Sequence, residues 1–317
     1  MKKIIEVEEL KKYFGKGVNI VKAVNGISLK IYEGEIFGFL GPNGAGKTTS
    51  LRMMVGLLKP DSGNVKILGE DPSGNGKEIK RQLGIIPQDL VMYDDLTVEE
   101  NLWFLARIYD IPKTIAEERI NSLISKMGLE DKRKARTKTL SGGLKRRLNL
   151  ILGLVHDPRI IICDEPTSGL DPQSRLTVWD FLKSLPQQGK TVILTTHFME
   201  EADRLCDRVA IIDHGEILVL DTPETLKASI GEGDLMEIEL VDSSMLESTN
   251  NALTEYDEID DSRIIGAGIL IRGKDLVSKL SRLLSKIEPI AEIKNVKLRR
   301  TTLEDVFIHL TGRSLRN

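Results

Sequence analysis

A glycine-rich loop placed between a strand and a helix constrains this chain more than any other feature. Residues 41–49 read GPNGAGKTT, which fits the pattern G-x-x-x-x-G-K-[ST]; they follow the apolar FGFL and lead into the helical segment KTTSLRMM. Glycines allow consecutive backbone N–H groups to point inward, and the dipole of the following helix adds positive potential there. We therefore expect the loop to enclose phosphates, through Gly41, Pro42, Asn43, Gly44, Ala45, Gly46, Lys47, Thr48 and Thr49.

Two side chains of this loop predict where its chemical partners should lie. Lys47 is expected to reach the β- and γ-phosphates of a nucleotide, and the Thr48 hydroxyl to bind Mg²⁺. A metal-binding acid should then end a buried strand, and the apolar run RIIICDEP supplies Asp164, placed to hold Mg²⁺ through water. Glu165 follows it and is expected at the mouth of the site, where it can orient and deprotonate an attacking water. The alternative is an acidic pair that only caps a strand.

Three further side chains follow predicted strands. His197 ends the buried strand TVILTTH, and ligands bind at the carboxyl ends of the strands in parallel sheets. Gln88, in GIIPQD, is a neutral acceptor able to complete the metal shell, although its spacing does not distinguish it from a surface glutamine. Tyr13 is an aromatic near a strand end that could stack on adenine or serve only in packing.

A second glycine-bearing loop lies in LSGGLKRRL, residues 140–148. Ser141 is a good N-cap, and Gly142 and Gly143 remove side-chain bulk so that a ligand can approach the backbone at a helix start. The first loop already encloses the triphosphate of the one nucleotide expected. This segment is therefore either an ordinary helix start or the cap of a nucleotide held by another subunit, and the basic run after Leu144 reads mainly as a solvated helix face.

The order of elements predicts an α/β fold with a smaller domain after it. Strands alternate with helices through the first two thirds of the chain, which favours a mostly parallel sheet covered on both faces, with a helical region at about residues 96–154. The aperiodic KASIGEGD predicts a boundary, so that we expect domains at 1–228 and 235–317. In the second domain MEIEL, IIGAGILIRG and EIKNVKLRR read as strands and LVSKLSRLLSKI and TTLEDVFIHLTG as helices, an α+β arrangement of ferredoxin-like character.

Composition limits the kinds of partner that we expect for this chain. The formal net charge of −3 gives no electrostatic reason to expect nucleic acid. No segment approaches the roughly 18 uninterrupted apolar residues needed to span a bilayer, and Glu6 interrupts the N-terminal segment before the apolar stretch of a signal peptide develops. The two cysteines, Cys163 and Cys206, lack metal-ligand spacing and are expected to be reduced and structural. Work at a membrane would then be that of a peripheral subunit.

Five motifs in one order, within about the first 225 residues, closely resemble the ATP-binding subunits of ABC transporters. They are GPNGAGKTT, the glutamine of IIPQD, LSGGLKRRL, IIICDEPTSGLDP and the histidine of LTTH. The resemblance implies a P-loop ATPase domain with a mostly parallel core sheet, an antiparallel β subdomain and a helical subdomain. It also implies ATP and Mg²⁺ as ligands, and a head-to-tail dimer with a second copy or a homologous subunit.

The same resemblance implies roles for single residues. Each ATP would lie between the Walker A loop of one subunit and Ser141, Gly142 and Gly143 of the other. Glu165 would be the catalytic base, His197 would contact the γ-phosphate, and Gln88 would sense the metal and link the site to a membrane partner. The segment from Ser168 to Asp171 would cross between subunits. Tyr13 matches the aromatic that stacks on adenine, although Phe14 beside it could substitute. Leu144 departs from the glutamine of the usual signature and should leave ATP contact intact.

Several sequences suggest the subclass. LSGG followed by an apolar residue and KRRL, then DTPETLK and TTLEDVFIHLTGR, resemble drug-, lipid- or ion-exporting ATPases of the daunorubicin-resistance type, whose integral membrane permease is a separate chain. We therefore expect a peripheral subunit on the cytoplasmic face of the cell membrane. The alternative is a soluble ABC ATPase acting on ribosomes or DNA, which the single cassette and the short stretch between Lys47 and Asp164 disfavour. A protein that merely holds ATP is disfavoured by the intact Glu165 and His197.

Overall fold

The structure, a computed structural model, describes residues 2–74, 77–230, 234–254, 256, 259–273 and 276–312. It divides into two compact units, of which the first runs to Pro223 and the second begins at Glu224. This division precedes the predicted boundary in KASIGEGD, of which Gly231–Gly233 lie outside the described residues. Ile230 shows why: its side chain is buried and its carbonyl accepts a hydrogen bond from the guanidinium of Arg272, so the chain joins the second unit before the glycines.

Strands and helices alternate through the chain. The strands are β1 Lys3–Phe14, β2 Val21–Tyr32, β3 Ile36–Leu40, β4 Ser62–Ile67, β5 Leu83–Ile86, β6 Ile160–Asp164, β7 Thr191–Thr196, β8 Arg208–Asp213, β9 Glu216–Asp221, β10 Asp234–Leu240, β11 Asp261–Ile265, β12 Gly268–Gly273 and β13 Ile293–Arg300. The helices are α1 Lys47–Met54, α2 Lys77–Arg81, α3 Val98–Ile108, α4 Lys113–Lys126, α5 Gly142–Leu152, α6 Pro172–Ser184, α7 Met199–Leu205, α8 Pro223–Ser229, α9 Leu246–Leu253, α10 Leu276–Ile287 and α11 Leu303–Thr311.

The main sheet of the first unit has six strands in the order β5-β6-β7-β3-β8-β9. The first five are parallel, and only β9 runs against its neighbour. The strand ends are in register, since Leu40 pairs with Thr196 and Asp164 with Thr195. The loops that follow β3, β5, β6 and β7 therefore leave the same edge of the sheet, which is the edge that the sequence predicted for the site.

A second, antiparallel sheet and a helical region complete this unit. The sheet has the order β2-β1-β4, and its inner residues, among them Ile5 and Leu10, share one apolar core with Phe37 and Phe39 of β3. Helices α3, α4 and α5 fill the region predicted as helical, and α3 begins with a capping box in which Thr97 and Glu100 bond each other's backbone N–H groups. The α/β class with a mostly parallel sheet is confirmed.

A tight hairpin joins β8 to β9 and lies against the glycine-rich loop. His214 and Gly215 have φ values of 48° and 80°, as a two-residue turn of this kind requires. Gly215 N donates to Ala45 O at 3.0 Å, and Gly215 O accepts from Asn25 N at 2.8 Å. The hairpin thus joins the loop to β2.

After α8, the second unit has the element order βαββαβ, with a further helix, α11, at its end. Its four strands are antiparallel in the order β11-β12-β10-β13, the ferredoxin-like arrangement. The prediction of one strand over IIGAGILIRG is wrong: Gly266, with φ 59°, reverses the chain, and two strands form a hairpin. Among the described residues of both units, no helix is long and apolar enough to cross a membrane.

Candidate nucleotide site

The glycines of residues 41–49 are required by both backbone conformation and space. Gly44 and Gly46 have φ values of 82° and 102°, which residues with a Cβ atom rarely adopt. A Cβ atom at Gly46 would lie 2.2 Å from the carbonyl oxygen of Ala23, and one at Gly41 would lie 2.1 Å from that of Ile212. The loop is therefore packed against β2 and β8, and its curled shape is built into the fold.

Lys47 points back into its own loop. Its ammonium donates to the carbonyl oxygens of Gly41 at 2.7 Å and Pro42 at 3.0 Å, and it lies 4.0 Å from a carboxylate oxygen of Glu165. The side chain is buried, and this burial lowers the pKa of Lys47, which the charges of Glu165 and Asp164 oppose. A positive charge thus lies inside the loop, where an anionic phosphate would complete its neutralisation.

Thr48 and Asp164 lie together, as the sequence predicted. The Thr48 hydroxyl donates to Asp164 Oδ1 at 3.0 Å, and the Thr195 hydroxyl of the neighbouring strand donates to the same oxygen at 2.5 Å. A hydroxyl oxygen and a carboxylate oxygen are hard ligands, and Mg²⁺ takes few protein ligands beside water and phosphate oxygens. The donor set therefore fits a magnesium ion accompanied by a nucleotide.

Glu165 is held in a strained backbone conformation. Its φ is 47°, and its N–H donates to the Thr195 hydroxyl at 3.0 Å. The carboxylate lies 3.0 Å from Nδ1 of His197 through one oxygen, and it accepts from Nε2 of Gln88 at 3.3 Å through the other. Only 7% of the residue is exposed, so Glu165 lies inside the site rather than at its mouth, because the positive φ turns it toward His197 and Gln88.

Three of the predicted residues therefore meet at one carboxylate. Gln88 follows β5, Glu165 follows β6 and His197 follows β7, three adjacent strands whose carboxyl ends coincide. The amide of Gln88 is directed at Glu165, although the sequence suggested the metal shell for it. The carboxylate of Glu165 thus accepts a hydrogen bond from an amide and lies beside an imidazole that can donate or accept.

The two aromatic residues at the end of β1 differ in their surroundings. The Tyr13 hydroxyl donates to Asn25 Oδ1 at 2.7 Å, and Asn25 Nδ2 donates to Glu216 at 2.6 Å. The Phe14 side chain is 45% exposed, with the ammonium of Lys12 at 5.7 Å from the ring centroid. Tyr13 is thus tied to the fold by its hydroxyl, and Phe14 offers the more accessible ring.

Ser141, Gly142 and Gly143 form the first turn of α5, at some distance along the chain from the site described above. Ser141 and Gly142 are exposed, and the Ser141 hydroxyl accepts from Leu144 N at 3.4 Å as an N-cap. A Cβ on Gly143 would lie 3.0 Å from the Ser174 hydroxyl oxygen. Asp171 caps the adjacent helix α6, because its carboxylate accepts from Ser174 N at 2.9 Å. Ser141 and Gly142 thus form an exposed helix start.

Arg146 was not recognised from the sequence, where the run after Leu144 read as a solvated face. Only 3% of it is exposed, and burial lowers the pKa of its guanidinium. The signal was periodicity: Arg146 lies three residues before Asn149 and four before the apolar Leu150, so the three share one face of α5, and all three are buried.

Glu201 of α7 was missed as well. Its carboxyl is fully buried, and one oxygen accepts from the Thr167 hydroxyl at 2.7 Å and from the indole of Trp179 at 2.9 Å. Burial raises the pKa of Glu201, and these hydrogen bonds partly oppose it. The carboxyl joins the loop after Glu165 to the helix after His197.

Known proteins match this chain over nearly all of its length. Nod factor export ATP-binding protein I of Ralstonia nicotianae is 38% identical over 315 residues, which cover 99% of this chain and 95% of that protein. The chain belongs to the ATP-binding subunits of ABC transporters. The family model described as ABC transporter matches residues 24–168. Linearmycin resistance ATP-binding protein LnrL of Bacillus subtilis is 36% identical over 317 residues, covering 99% of this ABC subunit and 100% of the relative.

Solved structures agree with this membership. A dimeric ATP-binding cassette in a post-hydrolysis state, bound to ADP and Pi, superposes with a TM-score of 0.63 at 27% identity, over 69% of this chain and 98% of that one. CbiO1 of Clostridium perfringens, part of the complex CbiONQ, gives a TM-score of 0.65 at 29% identity, over 73% and 92%. This ABC subunit is therefore an ATP-binding protein that hydrolyses ATP, and its relatives do not favour a role on ribosomes or DNA.

Proposed function

We propose that this ABC subunit is the ATP-driven motor of an export system and acts through a separate integral membrane permease at the cytoplasmic face of the membrane. The observation that carries the proposal is the set of contacts around Glu165, at the carboxyl edge of the sheet. Lys47, Gln88 and His197 surround this carboxylate within 4.0 Å. Export is supported by the relatives, which are named for Nod factor export and linearmycin resistance.

In this proposal two subunits, identical or homologous, bind two ATP molecules head to tail. Residues 41–49 of one subunit hold the phosphates, and Ser141, Gly142 and Gly143 of the other cap them. Support comes from the exposure of Ser141 and Gly142 at the positive end of α5, whose N–H groups would otherwise face water. Asp171, at the start of α6, would lie at the same interface. Binding would close the dimer and hydrolysis would open it.

Within each ATP site the residues would have different roles. Lys47 would exchange the carbonyls of Gly41 and Pro42 for phosphate oxygens. Glu165 would accept a proton from the attacking water, and His197 would hold Glu165 on one side and the γ-phosphate on the other. Gln88 would report the state of the site to the permease.

Thr48 and Asp164 would hold Mg²⁺ at the same site. When bound, the ion would neutralise charge on the phosphate oxygens. The support is the hydroxyl and carboxylate oxygens of these two residues, which lie 3.0 Å apart.

The permease would dock in an apolar groove beside Gln88. The groove has a volume of about 470 Å³ and is lined by exposed side chains that include Leu90, Val91, Tyr93, Phe104 and Ile108. Its wall is ordered, because the buried Asn101 accepts from Tyr93 N at 2.8 Å and donates to Tyr93 O at 3.1 Å. Exposed apolar side chains of this density mark an interaction site, and an amphipathic helical segment of a membrane protein is the occupant we propose.

Replacing Glu165 by Gln tests the catalytic part of the proposal. We expect kcat to fall by about 10² to 10⁴, the usual effect of losing a general base, while ATP stays bound and the dimer stays closed. Glu200→Gln, at an exposed residue of α7, is the control and should retain activity. ATPase rates and size-exclusion profiles with ATP give the measurement. Near-normal turnover in Glu165→Gln would remove Glu165 as the base.

Replacing Ile108 by Glu tests the groove. We expect the purified variant to hydrolyse ATP normally but to lose the integral membrane protein that accompanies the wild-type subunit out of native membranes. Val277→Glu, at a residue of the second unit that is 63% exposed, should keep this partner. Recovery of the same membrane protein with Ile108→Glu refutes the docking site, and recovery of ribosomal or DNA-bound partners alone refutes the transport function.

A further inference from the structure

Arg146 uses every N–H group of its guanidinium to bind backbone carbonyls of two loops. The group has five donors, and the structure gives it five hydrogen bonds of 2.6 to 3.0 Å. The acceptors are the carbonyl oxygens of Pro87, Gln88, Asp164, Glu165 and Pro166. The first two belong to the loop after β5 and the other three to the loop after β6.

Asn149, one turn later on the same face of α5, extends this attachment. Its amide nitrogen donates to Pro87 O at 3.2 Å, and its amide oxygen accepts from Val91 N at 3.0 Å. The loop from Pro87 to Val91, which carries Gln88, is therefore held at both ends by α5. A shift of this helix must move the loop or break these bonds.

The contacts of Arg146 indicate a geometric role rather than charge neutralisation. A buried guanidinium usually pairs with a carboxylate, yet all five of these bonds end on neutral carbonyls. Carbonyl oxygens of consecutive residues fix where a loop runs and where its side chains point. Here the fixed residues include Gln88 and Glu165, whose side chains meet at 3.3 Å.

The same helix begins at the exposed Ser141 and Gly142. With a rise of about 1.5 Å per residue, Arg146 lies only about 7 to 8 Å along the axis from Ser141. The short stretch of α5 between Ser141 and Arg146 should move as a rigid body, because its backbone hydrogen bonds do not stretch appreciably.

We propose that Arg146 is a positioning residue that couples the two ATP sites of the dimer. A nucleotide of the partner subunit, bound at the start of α5, would set the position of this helix. Arg146 would then fix the backbone positions of Glu165 and Gln88 in its own subunit. The inference rests on the proposed head-to-tail dimer. Each site would then reach its active geometry only when the other is occupied.

Arg146→Lys tests the positioning, since lysine keeps the positive charge but cannot bind both loops. We expect kcat to fall by about 100-fold, as a misplaced catalytic group does, with the Kd for ATP changed less than about twofold. Lys145→Ala, which removes a partly exposed charge 3.6 Å from Asp94, is the matched control and should keep kcat. A role confined to stability would lower the melting temperature and leave kcat of the folded protein unchanged, which overturns the proposal.

Mixed dimers test the direction of the coupling. Glu165→Gln should stop hydrolysis at the site of its own subunit while ATP stays bound there, and Arg146→Lys should impair the site of its own subunit. Placing both changes on one subunit then damages one site twice and leaves the other intact beside an occupied site, whereas placing them on different subunits damages both sites. We expect higher ATPase activity when both changes are on one subunit. Equal activities, or the reverse order, overturn the proposal.

Two further measurements separate failure of the inference from failure to fold or to dimerise. If Arg146→Lys does not yield folded protein, Asn149→Ala replaces it in both experiments, with a kcat lower by about tenfold as the expected result, because it frees only the Gln88 loop. Unchanged kcat in that variant overturns the proposal. A wild-type protein without ATPase activity or ATP-dependent dimers would instead refute the proposed function.

Discussion

Replacing Phe14 by alanine is expected to weaken ATP binding, whereas removing the hydroxyl of Tyr13 is not. A base can stack only on a ring whose face is open to it, and Phe14 is 45% exposed at the end of β1. Tyr13 is only partly exposed, and its hydroxyl is bonded to Asn25 at 2.7 Å. We therefore propose that Phe14 makes the adenine contact, although the family resemblance pointed first to Tyr13.

The general energies of ring stacking and of a hydrogen bond give the expected size of both effects. Stacking of a base on an aromatic ring contributes about 1 to 3 kcal/mol, so that Phe14→Ala should raise the Kd for ATP by about 5- to 150-fold. Tyr13→Phe removes one hydrogen bond to Asn25, which lowers the free energy of unfolding by about 1 kcal/mol. That bond is made within the protein, and its loss should change the Kd for ATP by less than about twofold.

Binding can be measured without turnover in the Glu165→Gln background. A fluorophore on the ribose leaves the adenine free, and titration gives the Kd directly. Phe14→Tyr is the matched control, because it restores an aromatic ring and should restore affinity. If Phe14→Ala binds ATP within about twofold of the parent while Tyr13→Ala loses tenfold or more, the assignment is refuted and Tyr13 is the stacking residue.

Two further predictions follow from the helices beside the site. Leu144→Gln should change kcat by less than tenfold, or about 1.4 kcal/mol, because Leu144 supplies its backbone N–H rather than its side chain to the cap of α5; a larger loss in steady-state ATPase assays contradicts this. Glu201→Gln should flatten the pH dependence of stability. Burial raises the pKa of Glu201, so the stability that its protonated form contributes is full at acidic pH and is lost as the pH rises through the raised pKa, by about 1.4 kcal/mol for each unit of the shift. Urea unfolding between about pH 5 and pH 8 measures it against Glu200→Gln, and identical profiles refute it.

Much of the candidate site could be predicted because its acidic residues and its histidine stand at the ends of buried strands. Parallel strands bring their carboxyl ends to one edge, so the positions of Asp164, Glu165 and His197 in the sequence were enough to place them beside residues 41–49. The same reasoning placed Gln88 near them. Their mutual distances could not be predicted, since they depend on the positive φ of Glu165, and a glutamate gives no local sign of that conformation.

What the sequence did not reveal are polar groups buried by tertiary contacts. Arg146 stands between two other basic residues, and a run of like charges is typical of a solvated face, which concealed the weaker signal of its spacing; the two loops that bind its guanidinium bury it. The burial of Glu201 was hidden in the same way, because a second acidic residue, Glu200, stands directly before it. The hairpin of β11 and β12 was missed for another reason, since Gly266 and its neighbours are small enough to read as strand or turn.

The strained backbone of Glu165 explains why these buried groups belong to the site. A residue other than glycine with φ near +47° is less stable by about 1 to 3 kcal/mol, and it persists only where its surroundings impose it. Here both sides of the residue are held: its N–H bonds the Thr195 hydroxyl, and its carbonyl accepts from Arg146 at 2.6 Å. Thr195 belongs to β7, the strand that His197 follows, and Arg146 belongs to α5, the helix that Ser141 caps. The conformation of the proposed base therefore depends on both elements at once, and a displacement of either would release it.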